Sequence, residues 1–373
     1  MDNLRDYIGW MGDYDFDRVP FGEVDALILC LIAYYDLSAL FGPPRPEETT
    51  LREGLAPIEQ GACSFTAFAP RDMDYAAFLR EAAASARYGD LILSDYEDIA
   101  RADPPLQFAA VSFRFGDFTF IAYRGTDLTL AGWREDFMIS FTATEAQTLA
   151  ADYAARRAAR GGRFRLGGHS KGGNLALFAA CALSEEAWSR VDKVYLLDSP
   201  GLCPGMMDEA RVERVKPRAV AIDPVFSVVG KLFELDAVQR RVAKSSGFSL
   251  LQHSLGSWGV DHGRLALAKA HDPASRWIDE VLRQWIDGIP QERRALFVSE
   301  LFDALSAGGA VTLADILKAG PAGFRAILAG LLKTSPAVKL TAAELPMRAL
   351  LGESYDRLAG RIFPREGNRT SPR

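Results

Sequence analysis

The sequence predicts an α/β protein: a mostly parallel sheet flanked by helices, followed by a helical C-terminal region. Three observations carry this reading. From about residue 105 to 250, short apolar strand-like runs alternate with segments of helical spacing, as in parallel sheets joined by crossover helices. A tight turn at Gly116 and Asp117 splits "QFAAVSFRFGDFTFIAYRG" into two antiparallel strands that open the sheet. Beyond about residue 272 strand signals stop, and "RWIDEVLRQWIDGI", "ERRALFVSELFDAL" and "TLADILKAG" keep only helical periodicity.

The elements follow in order. Residues 1 to 40 read as helical and amphipathic, with "VDALILCLIAYYDL" as the buried piece, and residues 42 to 70 as a Pro- and Gly-rich loop. "DYAAFLREAAASARYG" reads as a helix closed by Gly89. "TEAQTLAADYAARRAARGG" is an alanine-rich helix ending at Gly161 and Gly162, "RFRLGG" a strand and "KGGNLALFAACAL" a helix. "DKVYLLDSPG" is a buried strand running into a loop, "PRAVAIDP" a strand stopped by proline, and "RRVAKSS" a last short strand. The expected divisions are an N-terminal helical segment over residues 1–90 packing on a core over 91–271, a helical region over 272–363, and a flexible tail over 364–373.

The composition is that of a globular chain: 373 residues, 49% hydrophobic and 25% charged. A net charge of −6 argues against nucleic acid as the main partner, because phosphate recognition needs a basic surface. The four cysteines, Cys30, Cys63, Cys181 and Cys203, have no zinc or redox spacing, and neither metal nor cofactor is expected. The acidic N-terminus lacks the basic start and apolar core of a signal peptide. The longest apolar run, residues 26–35, is half of the roughly 20 residues that span a bilayer. A cytoplasmic protein with no membrane span is expected; peripheral membrane contact and oligomeric state stay open.

The chemistry concentrates at Gly168-His169-Ser170-Lys171-Gly172. A serine flanked two residues away by glycines, after a strand and before a helix, has the pattern of a nucleophile elbow. The turn lifts the hydroxyl above the sheet, crowds its neighbours, and aims a helix N-terminus at the place where negative charge would develop. A serine hydroxyl needs a base, and there are four histidines to supply one. His169 should point away beneath the turn. His262 and His271 fall on an expected helix and near its end. His253, in the loop "SLLQHSLGSW" after the last strand, is the expected base. The chain order serine, acid, histidine confines the acid to residues 171–252. Asp223 is the favoured acid and Asp198 the alternative, the latter also able to serve the "DSPG" turn. The backbone N–H of Lys171 and the N–H or hydroxyl of Thr126, beside a Gly125 that permits close approach, are expected oxyanion donors. Met206, Met207 and Phe226 are candidates to line an acyl pocket.

With "FIAYRGTD", "GWREDF" and "GHSKGG" in place, the chain resembles the class 3 lipase-like branch of the α/β hydrolases. That branch pairs an "RGT" or "RGS" oxyanion segment with a following tryptophan and aspartate, here Trp133 and Asp136, and has a GHSxGG elbow. It is more closely similar to the bacterial Mbeg-like family at "DYIGWMGDYDF", "PFGEVDALIL", "GHSKGGNLA", "FSVVGKLF" and "SLLQHSLGSW", over roughly residues 1 to 265. The resemblance implies Ser170 as nucleophile, His253 as base and Thr126 at the oxyanion hole, with Asp223 matching a "DPV" segment. Lys171 departs from the apolar residue of true lipases and is expected to set a cation beside the nucleophile. The leading expectation is a serine hydrolase of carboxylic esters, acyl or lipid esters above all. A thioesterase, or a hydrolase fold kept as a non-catalytic binding module, are the competing readings. The elbow lacks the spacing of a nucleotide-phosphate loop.

Overall fold

The computed structural model describes residues 1–41, 47–66, 73–101, 106–126, 143–203, 205–227, 229–247 and 249–273, with isolated positions 139, 296, 299, 300 and 303. The chain divides into two compact units, Met1–Asp279 with Val311–Leu313, and Glu280–Ala310 with Ala314–Arg373. The elements below all belong to the first. The helical region expected after residue 272, and the tail, lie outside the described residues apart from those few positions.

Among the described residues the helices named here are α1 (Leu4–Met11), α2 (Glu23–Ile32), α3 (Leu55–Glu59), α4 (Tyr75–Ala84), α5 (Glu145–Ala159), α6 (Lys171–Ala182), α7 (Glu185–Ser189) and α8 (Glu209–Val215). The main sheet contains β1 (Glu48–Thr50), β2 (Ile92–Arg101), β3 (Leu106–Phe115), β4 (Phe118–Tyr123), β5 (Arg163–His169), β6 (Val191–Leu197), β7 (Ala219–Pro224) and β8 (Gln239–Ala243). Its strands lie side by side in chain order. The pairs from β1 to β4 are antiparallel, and those from β4 to β8 parallel.

That sequential order decides where the helices go. Parallel crossovers are right-handed almost without exception, so crossovers that step always in one direction place their helices on one face. A single buried cluster accordingly joins Ala150 and Ala154 of α5 and Leu175 and Leu177 of α6 to Ile121, Leu166, Val194 and Ala221 of the strands. The opposite face would be bare. It is covered by the N-terminal segment: Leu4, Ile28, Leu31 and Phe78 form a second cluster with Phe113, Phe120, Tyr195 and Ile222, the alternate residues of the same strands. Every residue of α2 from Val24 to Ile32 is buried, which is why "ALILCLI" carries no polar stripe.

Several expectations change at this level. Residues 48–50 and 92–101 are strands that extend the antiparallel side of the sheet. Helix α4 ends at Ala84 and not at Gly89; Ser85 is extended, with ψ 152. The break releases Arg87 and Tyr88 to turn inward onto Asp25. Arg87 Nε and Nη2 each donate to the Asp25 carboxylate at 2.7 Å, with both side chains fully buried. The Tyr88 hydroxyl donates to the same carboxylate at 2.6 Å, and Arg87 Nη1 donates to the carbonyls of Tyr14 and Val19. Residues 260–265 form a short hairpin, Val260–Asp261 with Arg264–Leu265, where a helix is expected. His262 and Gly263 make its turn at φ 45 and 82.

Candidate active site

The elbow is built by crowding. Ser170 follows β5 and precedes α6, at φ 58 and ψ −129. A non-glycine residue holds such angles only where its surroundings impose them. A Cβ on Gly168 would fall 2.1 Å from the carbonyl carbon of Gly172, and one on Gly172 would fall 2.1 Å from the Tyr123 carbonyl oxygen. The Ser170 N–H donates to the Leu197 carbonyl at 2.9 Å, which pins the turn to the neighbouring strand. The Ser170 hydroxyl makes no hydrogen bond among the described residues, and the residue as a whole is 8% exposed.

The strand register sets what stands beside it. His169 of β5 pairs with Leu197 of β6, and Leu197 pairs with Ile222 of β7. Ser170, Asp198 and Asp223 therefore form a row across three adjacent strand ends. With strands about 4.8 Å apart, the first acid stands one strand from the serine and the second roughly 10 Å away. His253, in a 3-10 turn over Ser249–His253, sits next to the elbow: its ring centroid is 4.4 Å from that of His169. Its Nδ1–H donates to Asp198 Oδ2 at 2.6 Å, and Nε2 has no partner among the described residues. Asp198 is almost fully buried, with Oδ1 accepting from the Ser227 hydroxyl at 2.5 Å and the Gly230 N–H at 3.0 Å.

Asp223, the acid favoured from sequence, does not reach His253. Its carboxylate is paired with Arg240, and His271 Nε2 stands 3.3 Å away without hydrogen-bond alignment. The His253 ring is paired instead with the nearer carboxylate, that of Asp198. His262 stands apart from them, exposed, paired with Asp261 and stacked on Trp10.

Lys171 also differs from expectation. Its ammonium does not stand at the surface beside the serine; the side chain is buried and Nζ donates to the Gln107 carbonyl at 2.9 Å. Its backbone opens α6, so the N–H lies in the first turn. Gly125 is where close approach is needed: a Cβ there would fall 2.1 Å from the Tyr34 hydroxyl and 2.5 Å from the His169 carbonyl oxygen. Thr126 follows it, partly exposed, while Trp133 and Asp136 lie outside the described residues. Met207 packs against the crossover-helix cluster, the Met206 sulfur lies 3.6 Å from Gln147 Nε2, and the Phe226 N–H donates to Gln252 Oε1 at 3.0 Å. Among the described residues no group of three or more His, Cys, Asp or Glu could hold a metal ion. Likewise, no described helix is long and apolar enough to cross a membrane.

A sheet of this order, entered by antiparallel strands and carrying a serine elbow between β5 and α6, is an α/β-hydrolase-like fold. A family model for Mbeg1-like proteins matches residues 82–303, and the chain belongs to that family. Among solved structures it is similar to a Rhizomucor miehei lipase, solved as a propeptide complex, at 15% identity and TM-score 0.37. That match covers 65% of this chain and 80% of the lipase. It is also similar to the Lip2 lipase of Yarrowia lipolytica, at 11% identity and TM-score 0.33, covering 65% and 93% of the two chains. The M37 lipase matches at 12% identity and TM-score 0.32, covering 57% and 69%. No curated protein matches the chain.

Proposed function

We propose that the protein is a serine hydrolase of carboxylic esters that works through an acyl-enzyme. Ser170 is its nucleophile, His253 its general base and Asp198 the carboxylate that orients and charges the base. The observation that supports this most directly is the pairing of the His253 ring, beside the elbow, with the buried Asp198 carboxylate, its second nitrogen without a partner among the described residues.

In this reading His253 Nε2 takes the Ser170 proton as Oγ attacks the ester carbonyl. The Nδ1–H bond to Asp198 fixes the tautomer that makes Nε2 an acceptor and stabilises the imidazolium that forms. The tetrahedral oxyanion is met by the Lys171 N–H and by Thr126; one such donor contributes about 3 kcal/mol to the transition state. Collapse expels the alcohol, which takes the proton from His253, and leaves Ser170 acylated. Water then gives its proton to His253 and attacks the acyl carbon; the returned proton frees Ser170 and the acid. Acyl or lipid esters are the proposed substrate class, with Met206, Met207 and Phe226 beside the acyl chain.

A p-nitrophenyl ester series from two to twelve carbons tests both parts. Wild type should release nitrophenol with a preference among chain lengths, and Ser170→Ala should release none above background. Folded wild-type protein without turnover on any member, and without acylation by a fluorophosphonate, contradicts the proposal.

A further inference from the structure

The histidine next to the nucleophile is buried and has no role in the chemistry above. We propose that His169 is a positioning residue: its ring is a strut that carries the catalytic loop, donating Nε2–H to the His253 carbonyl while the Tyr34 hydroxyl holds its Nδ1. This rests on the hydrolase reading only for its catalytic consequence.

The hydrogen-bond roles follow from chemistry. His169 Nε2 lies 2.8 Å from the His253 carbonyl oxygen, which can only accept, so Nε2 carries the proton. Nδ1 of the neutral ring is then an acceptor, and the Tyr34 hydroxyl at 2.9 Å is its donor. Burial, and next the charge of a protonated His253, hold the His169 imidazole well below its ordinary 6.5. A second cation is thereby kept away from the ring that must itself become imidazolium. Tyr34 stands just past α2 in the segment covering the sheet, so the strut ties that layer to the catalytic loop. The adjacent carbonyl of Gln252 is held in parallel by the Trp258 indole N–H at 2.9 Å. Two consecutive carbonyls of the loop that carries the His253 ring, those of Gln252 and His253, are thus each held by a side-chain donor.

Glutamine places an amide N–H near the position of imidazole Nε2; leucine fills similar space without a donor. In His169→Gln the Tyr34 hydroxyl retains the residue-169 carbonyl, 3.3 Å away, as its acceptor. The test compares His169→Gln with His169→Leu for kcat and KM on one p-nitrophenyl ester. Side-chain ¹⁵N NMR of the wild type is read alongside. Expected are a kcat loss of about tenfold to a hundredfold in His169→Leu with KM little changed, and a loss of less than about threefold in His169→Gln. A neutral His169 carrying a slowly exchanging Nε2–H at pH 7 completes the expected result. The inference is overturned if folded His169→Gln is as impaired as His169→Leu, or if His169 is the Nδ1–H tautomer or an imidazolium. A wild type that turns over no ester sinks the hydrolase reading instead. The tautomer and exchange of the His169 proton then decide the strut by themselves.

Discussion

At the residue scale the elbow and the histidine that stands beside it are legible in the sequence, and the carboxylate that pairs with that histidine is not. The elbow announces itself because its steric demands are local: Gly168 and Gly172 leave no room for a Cβ, whatever the rest of the chain does. His253 is reachable by elimination among four histidines. Choosing between Asp198 and Asp223 needs the register of three strands, which no local pattern carries. The same holds for His169 as a strut, since its partners lie 135 and 84 residues away in the chain. The two acids make a sharp comparison. On the proposed mechanism Asp198→Asn should lower kcat by about 10⁴-fold, because the wrong tautomer of His253 is then favoured. Asp223→Asn should cost less than about tenfold, its carboxylate serving Arg240. Steady-state rates on one p-nitrophenyl ester check this, and equal losses contradict the assignment of the acid.

At the element scale, the strands and crossover helices of the parallel half were readable from periodicity, and the edge of the sheet was not. Strand β2 carries "SDYEDIAR", half exposed and charged, and sits at a bulge between Ser94 and Glu97; its pairing with β3 is what makes it a strand. The early end of α4 has a similar cause, because a buried charge outweighs helix propensity at residues 85–88. Removing one partner of that buried pair leaves the other charged without compensation. Arg87→Met should therefore lose about 3–5 kcal/mol of stability in urea denaturation. The double variant Arg87→Met with Asp25→Leu should recover a large part of the loss. A single variant within about 1 kcal/mol of wild type would show that the pair does not anchor the N-terminal segment.

At the scale of the whole molecule, the sequential strand order explains why this chain begins with its own cover. All crossovers fall on one face, and α1, α2 and α4 close the other, so the N-terminal segment is part of the fold that holds the site. The strut from Tyr34 through His169 makes that dependence pH-sensitive. An unfolded histidine takes up a proton near pH 6.5, while folded His169 resists protonation to well below that value. In that interval the unfolded chain binds the extra proton. The contribution is complete above about pH 6.5 and falls by up to about 1.4 kcal/mol per pH unit below it. The thermal midpoint of the wild type should therefore drop toward His169→Gln between pH 7.5 and 5, and a constant gap contradicts this. The central claim, that Ser170 is activated by His253 held on Asp198, is tested most directly by intact-mass and peptide mapping after fluorophosphonate treatment. The account predicts a single adduct on Ser170 in the wild type and in Asp223→Asn, and none in Ser170→Ala or His253→Ala; folded wild-type protein with no adduct, or an adduct elsewhere, would contradict it.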